Sequence, residues 1–216
     1  MTLARIWPVR AVFLTLQSLS AQVARVPFVG CPSDGQTGPL HAPTGTSKVV
    51  QMSVAAAKRL AYYQAEIPPG VIAPRGWHCF GAYGSNAHYL LVVPQPISGG
   101  GLFSSNWRGI AGPAIEISWA SGETYGRFEV ARMIARVFPK WEAFAQDVIK
   151  EGIEPASDFP SGPYPKDKLV YRSERIVEYE TPRHSERLGT MSQLQTNGDP
   201  IKGVPFCKAT HPTCCI

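Results

Sequence analysis

What this chain lacks narrows its chemistry before anything it contains is weighed. Beyond the N-terminus no stretch approaches the roughly 18 consecutive apolar residues that cross a bilayer, so no transmembrane segment is expected in the mature chain. No Cys-x-x-Cys, His-Glu-x-x-His or Gly-x-Ser-x-Gly occurs, and a zinc ribbon, a thioredoxin centre, a zincin and a nucleophile elbow are therefore not indicated. No internal repeat is visible. Charge is sparse at 17% of residues, and no acidic residue precedes Asp34. The basic residues are scattered, and the one local cluster, Arg183 to Arg187, is interrupted by Glu186, so nucleic acid is not an expected partner.

What is present fits one domain. The chain has 216 residues, 44% of them hydrophobic, enough to furnish a core, and its 20 Gly and 20 Pro imply many turns. Arg5 and Arg10, the apolar run Ala11 to Leu16 and the small residues Ser18, Ser20, Ala21 and Ala24 together read as a signal peptide over residues 1–24. A buried amphipathic first helix is the alternative. Cleavage after Ala21 or Ala24 removes two arginines and no acids, lowering the formal charge from +5 to +3. The reading implies an exported protein, periplasmic or secreted.

Cysteine usage agrees with export. Cys31 lies just past the presumed cleavage site and Cys79 in the Trp-rich centre. A bond between them closes a loop of about fifty residues, worth roughly 4 kcal/mol on a chain-entropy account, and such a bond persists only in an oxidising compartment. Two buried free thiols, or a lipid-anchored Cys31, are the alternatives.

The remaining pattern predicts mixed α+β architecture, with a single domain over residues 25–204. A short strand running into a turn-rich loop is expected over 26–38, and another strand over 46–52. Ser53 reads as the N-cap of an Ala-rich helix over 54–66, stopped by Pro68-Pro69-Gly70. Residues 73–86 read as a Gly- and aromatic-rich loop, 89–93 as an apolar strand and Gly99-Gly100-Gly101 as a flexible tip. Ile115, Ile117 and Trp119 alternate as on one face of a strand. Apolar stripes over 127–150, interrupted by Pro139, predict two helices or one kinked helix ending at Gly152. Residues 168–171 and 175–180 resemble a hairpin.

Chemistry concentrates in Gly76 to His88, which holds two His, one Ser and several aromatics among three glycines. Ser85 is the candidate nucleophile, His88 or His78 the base, Asp34 its orienting carboxylate, and the glycine amides candidate oxyanion donors. The cystine would bring Asp34 and His41 near this loop. The bland alternative is a pinned loop of core aromatics. His41, His78 and His88 could hold zinc, but their spacing matches no known ligand pattern, and no metal or cofactor is assigned. Two classes of function follow. One is a hydrolase of small esters or lactones. The other is a non-enzymatic envelope protein that binds a ligand or partner through Trp77, Tyr83 and Trp107.

The segments VPFVGCPSDGQTGP (Val26 to Pro39), PRGWHCFGAYGSN (Pro74 to Asn86) and Tyr171-Arg172-Ser173 resemble a family of exported proteobacterial proteins without an assigned activity. The resemblance covers roughly residues 26–204. It implies an extracytoplasmic location and one domain, and it transfers no catalytic residue. Residues 205–216 depart from that pattern and pack three of the five cysteines into an aperiodic tail. Back-translated and read one nucleotide earlier, this tail permits a strand-and-turn sequence. It therefore reads as a frameshifted end, leaving Cys207, Cys214 and Cys215 without a designed role; a genuine Cys-rich tail that pairs internally or binds metal is the alternative.

Overall fold

Alternation of apolar and polar residues recurs along the chain, and strand outweighs helix among the described residues. The computed structural model describes residues 22–184, 192–194, 200–208 and 213–215. Most of the signal-peptide segment, the Ser185 to Arg187 part of the basic cluster and part of the tail lie outside the described residues. Among those described, the strands form two sheets. The smaller has the order β3-β1-β4-β5, from β1 (Val23–Gly30), β3 (Ser47–Gln51), β4 (Leu60–Gln64) and β5 (Val71–Pro74). The larger is built on β2 (Ser33–Gly35), β6 (His78–Tyr83), β7 (Ala87–Val93) and β8 (Ile115–Ala120). It continues through β13 (Thr213–Cys215), β12 (Phe206–Lys208), β10 (Ile176–Glu180) and β11 (Lys202–Gly203), with β9 (Lys168–Ser173) paired to β10. This is the mixed α+β domain the sequence pattern implies.

Helices cover one face of the larger sheet. α3 (Gly126–Val137) and α4 (Glu142–Lys150) are separated by a short 3-10 turn at Pro139–Trp141, and Gly152 ends the pair at φ +65°. Phe128, Val130, Met133, Ile134 and Val137 point from α3 into a core shared with Val177, Tyr179 and Cys207. Two buried cations brace this layer. Arg136 is nearly sealed from solvent and pairs with Asp167 at 2.9 Å, its guanidinium lying over Tyr164. Arg132 bonds the Asp158 carbonyl at 3.1 Å.

The cystine joins Cys31 to Cys79 with their Cα atoms 5.4 Å apart. It ties the corner between β1 and β2 to the start of β6. Around it pack Ala61, Tyr63, Ala65, Leu90 and Val92, the seam between the two sheets. In the tail, Cys207 is buried and disulfide-bonded, and β12 and β13 pair antiparallel, with β13 extending the sheet from β8.

Three local expectations are corrected. The helix over 54–66 is a single turn, α1 (Val54–Ala57), although Ser53 does cap it by accepting the Ala56 amide at 3.2 Å. Residues 60–64 are strand because β1 and β5 pair along both edges. That pairing buries Ala61, Tyr63 and Ala65 at period two, which outweighs the intrinsic helix preference of an Ala-rich segment. The Gly-rich loop over 73–86 is largely strands β5 and β6. Glycine enters β6 because β2 and β4 crowd it: a Cβ on Gly81 would lie 2.9 Å from the Ser33 Cβ and 3.0 Å from that of Ala65. The triple glycine forms one helical turn, α2 (Gly99–Leu102), held down by buried Leu102.

Gly81→Val should therefore overpack the seam and cost about 1–3 kcal/mol. Gly84→Ala, whose Cβ meets nothing closer than the Ala87 carbonyl at 3.8 Å, should change stability little. Urea denaturation of both variants checks this, and equal effects would contradict the close approach.

Candidate functional site

The tip of the β6–β7 hairpin is the place to build from. Tyr83 and His88 are the last paired residues, and the Gly84 amide bonds the Ala87 carbonyl at 2.8 Å across a tight turn. Ser85 is exposed at its apex, its hydroxyl accepting from Asn86 Nδ2 at 2.9 Å. The Asn86 carbonyl accepts the Ser121 amide at 2.8 Å. It also abuts Gly126, where a Cβ would lie 2.9 Å from that oxygen and 2.2 Å from the Ser121 carbonyl. Only glycine lets the first turn of α3 seat this closely on the hairpin.

That seating leaves a pocket of about 400 Å³ between hairpin tip, α2 and α3. Ala82, Ser85 and Tyr89 of the hairpin line it together with Phe103, Tyr125, Glu129 and Glu154. Burial, reinforced by the negative charge of Glu116, pushes the Tyr89 phenol up to about 12, so it stays a neutral donor. Glu129 and Glu154 converge on one guanidinium. Arg132 reaches Glu129 at 3.3 Å and also pairs with Glu154. Arg132 thus holds these two lining carboxylates in place.

Strand parity separates the residues the sequence singled out. Tyr83 and His88 share the face carrying Cys79 and Gly81, under the smaller sheet. His78 and Ala82 share the opposite face, and so does Asp34, which is paired in register with Ala82. His78 is exposed at the far end of β6, five residues or about 17 Å along the strand from Tyr83. Asp34 Oδ1 accepts the Gly35 amide at 2.7 Å. His88 stacks on Trp119, ring centres 5.2 Å apart, and its Nε2 has no hydrogen-bond partner. His78 thus lies apart from the hairpin tip that carries Ser85, and His88 lies on the opposite face from Asp34.

The aromatic candidates divide as well. Tyr83 lines the pocket, though its hydroxyl is engaged by Thr37 at 2.9 Å and the Gly38 carbonyl at 2.5 Å. Trp77 packs against the cystine cluster, and Trp107 donates its indole N–H to Gln193 at 2.8 Å. Among the described residues no group of three His, Cys, Asp or Glu is placed to hold a metal ion.

Tyr89, Phe103, Tyr125, Glu129 and Glu154 were not singled out from sequence. Their elements are separate in the chain, and no short motif joins them. The one local signal was an aromatic within two residues of glycine, at Gly101-Leu102-Phe103 and at Tyr125-Gly126. Compared with protein-family models, with curated proteins and with solved structures, the chain matches none.

His88 carries a pH dependence of its own. Burial pushes its imidazole below the ordinary 6.5, the Pro68 carbonyl acting partly the other way. The unfolded chain then binds the proton more readily, so stability is full above about pH 6.5 and falls as pH drops below it. A thermal-midpoint profile should decline below that pH, and His88→Phe, which preserves the stack, should flatten it. Profiles of equal slope would contradict a desolvated His88.

Proposed function

We propose that this chain is an exported protein that binds a small organic molecule in the pocket at the hairpin tip. Export is supported by the N-terminal sequence pattern, by the likeness of its two long Cys-bearing motifs to exported proteins and by a disulfide that needs an oxidising compartment. Among the described residues no helix is long and apolar enough to cross a membrane. One observation carries the binding reading. Phe103 and Tyr125, 55% and 71% exposed, line the same cavity from different elements. Aromatic rings left uncovered on one preformed concavity mark a ligand site more readily than rings scattered over a surface.

Ser85 in the lining of the same pocket favours a second reading, hydrolysis of small esters or lactones. A serine needs an activating base within hydrogen-bond reach, and the described contact of the Ser85 hydroxyl is with Asn86 Nδ2. Binding without turnover is the expected behaviour.

Thermal-shift screening of the oxidised protein against a diverse small-molecule library tests this. Hits should weaken about tenfold or more in Phe103→Ala and Tyr125→Ala, whose exposed rings contribute little to folding stability. Hits indifferent to both substitutions would contradict the pocket. Ester turnover by the wild type that is lost in Ser85→Ala would replace binding with hydrolysis.

A further inference from the structure

The first residues of β1 bear on where the exported chain is cut, and we propose that a leader peptidase hydrolyses the Ser20–Ala21 bond. This rests on the export reading above and goes beyond it by naming the scissile bond. The step needs only water, which adds across the amide and leaves a carboxylate on Ser20 and a free amine on Ala21.

Residues 22–24 are already committed to the fold. The Gln22 carbonyl accepts the Met52 amide at 2.9 Å. Val23 and Ala24 pair with Gln51 and Val50, two of the five registered pairs between β1 and β3. β3 is the edge of its sheet, and β1 is its neighbour there. Along β1, Val23 and Arg25 are exposed while Ala24 and Val26 are buried. Ala24 and Val26 enter a cluster with Ala57 of α1, flanked by Val50 and Met52.

A cut after Ala24 would remove these contacts. It would take the described partners from Val50, Gln51 and Met52, uncover part of that cluster, and place a new ammonium on Arg25, next to the fully buried Val26. Ser53, which caps α1, follows directly on the loosened stretch. Backbone groups stripped of their ladder partners beside a core are costly, and a loosened edge strand invites pairing with other chains.

The residues upstream point the same way. A leader peptidase reads small side chains one and three positions before the bond. Before Ala21 those positions hold Ser20 and Ser18. A cut after Ala21 would put Leu19 third, and a cut after Ala24 would put Gln22 there; both are bulkier. Cutting at Ser20–Ala21 satisfies the peptidase and keeps the whole of β1 in the mature chain.

Expression of the 216-residue chain in a Gram-negative host, followed by intact-mass measurement and N-terminal sequencing of the periplasmic fraction, tests the bond. The expected product begins at Ala21. A product beginning at Gln22, at Arg25 or elsewhere overturns the assignment, and so does a periplasmic chain that keeps residues 1–20. An uncut chain confined to the cytoplasm overturns the export reading itself, and this inference with it. A second measurement does not depend on the native leader. Chains beginning at Ala21 and at Arg25, both exported behind the same unrelated leader, are compared by thermal melting. The shorter should melt lower by about 5 °C or more, and loss of its folded product counts the same way. Equal midpoints overturn the argument that residues 22–24 must stay.

Discussion

The cystine between Cys31 and Cys79 is the constraint on which the arrangement depends. It sits in the apolar seam between the sheets, with Cys31 fully buried, and crosses from the end of β1 to the start of β6. Closing a 48-residue loop is worth about 4 kcal/mol, a large share of the 5–15 kcal/mol typical of a domain. More important is what it fixes in space. β2 follows immediately and runs parallel to β6, so β6 is paired on both edges, by β2 and by β7. Gly81 then permits β4 to close down over the same strand. A hairpin held in this way presents its tip to α3 as a rigid edge.

From that rigidity follows a division of labour between two sheet faces. Period two along β6 and β7 sends Cys79, Gly81, Leu90 and His88 toward the smaller sheet, and Phe80, Ala82, Leu91 and Tyr89 toward the helical layer. One face is closed by a second sheet. The other is covered by two separate pieces, α2 with its following loop and the α3–α4 pair. The pocket is the gap where those pieces meet over Ala82 and Tyr89. Arg132 bonds the Asp158 carbonyl and Glu154 and so ties the loop after α4 to α3 beside the pocket.

Legibility from sequence followed the range of the interactions concerned. Local periodicity was sufficient for β7, β8, the break at Pro139 and the β9–β10 hairpin, since each is decided by residues within a few positions. The cystine was legible from composition and context. The segment 60–64 was not, because Ala61, Tyr63 and Ala65 suit a helix until β1 and β5 flank them. Gly81 looked like a loop residue because the neighbour that requires it, Ser33, is far away in the chain. The pocket was hidden for a related reason: Ser85 and His88 are three residues apart, but strand parity places His88 on the opposite face from Ala82 and Tyr89. Tyr89, Phe103, Tyr125, Glu129 and Glu154 come from four separate segments of the chain, and only packing brings them together.

The central claim is that the chemistry of this domain lies on the helical face of the hairpin tip, away from the His88–Trp119 stack. Chemical-shift mapping of the labelled, oxidised protein during titration with a hit from the small-molecule screen tests that placement residue by residue. The account predicts perturbations centred on Ser85, Tyr89, Phe103 and Tyr125, with His88 and Trp77 unmoved. Perturbations centred on His88 and Trp119 or around Trp107, or none at the hairpin tip, would contradict it.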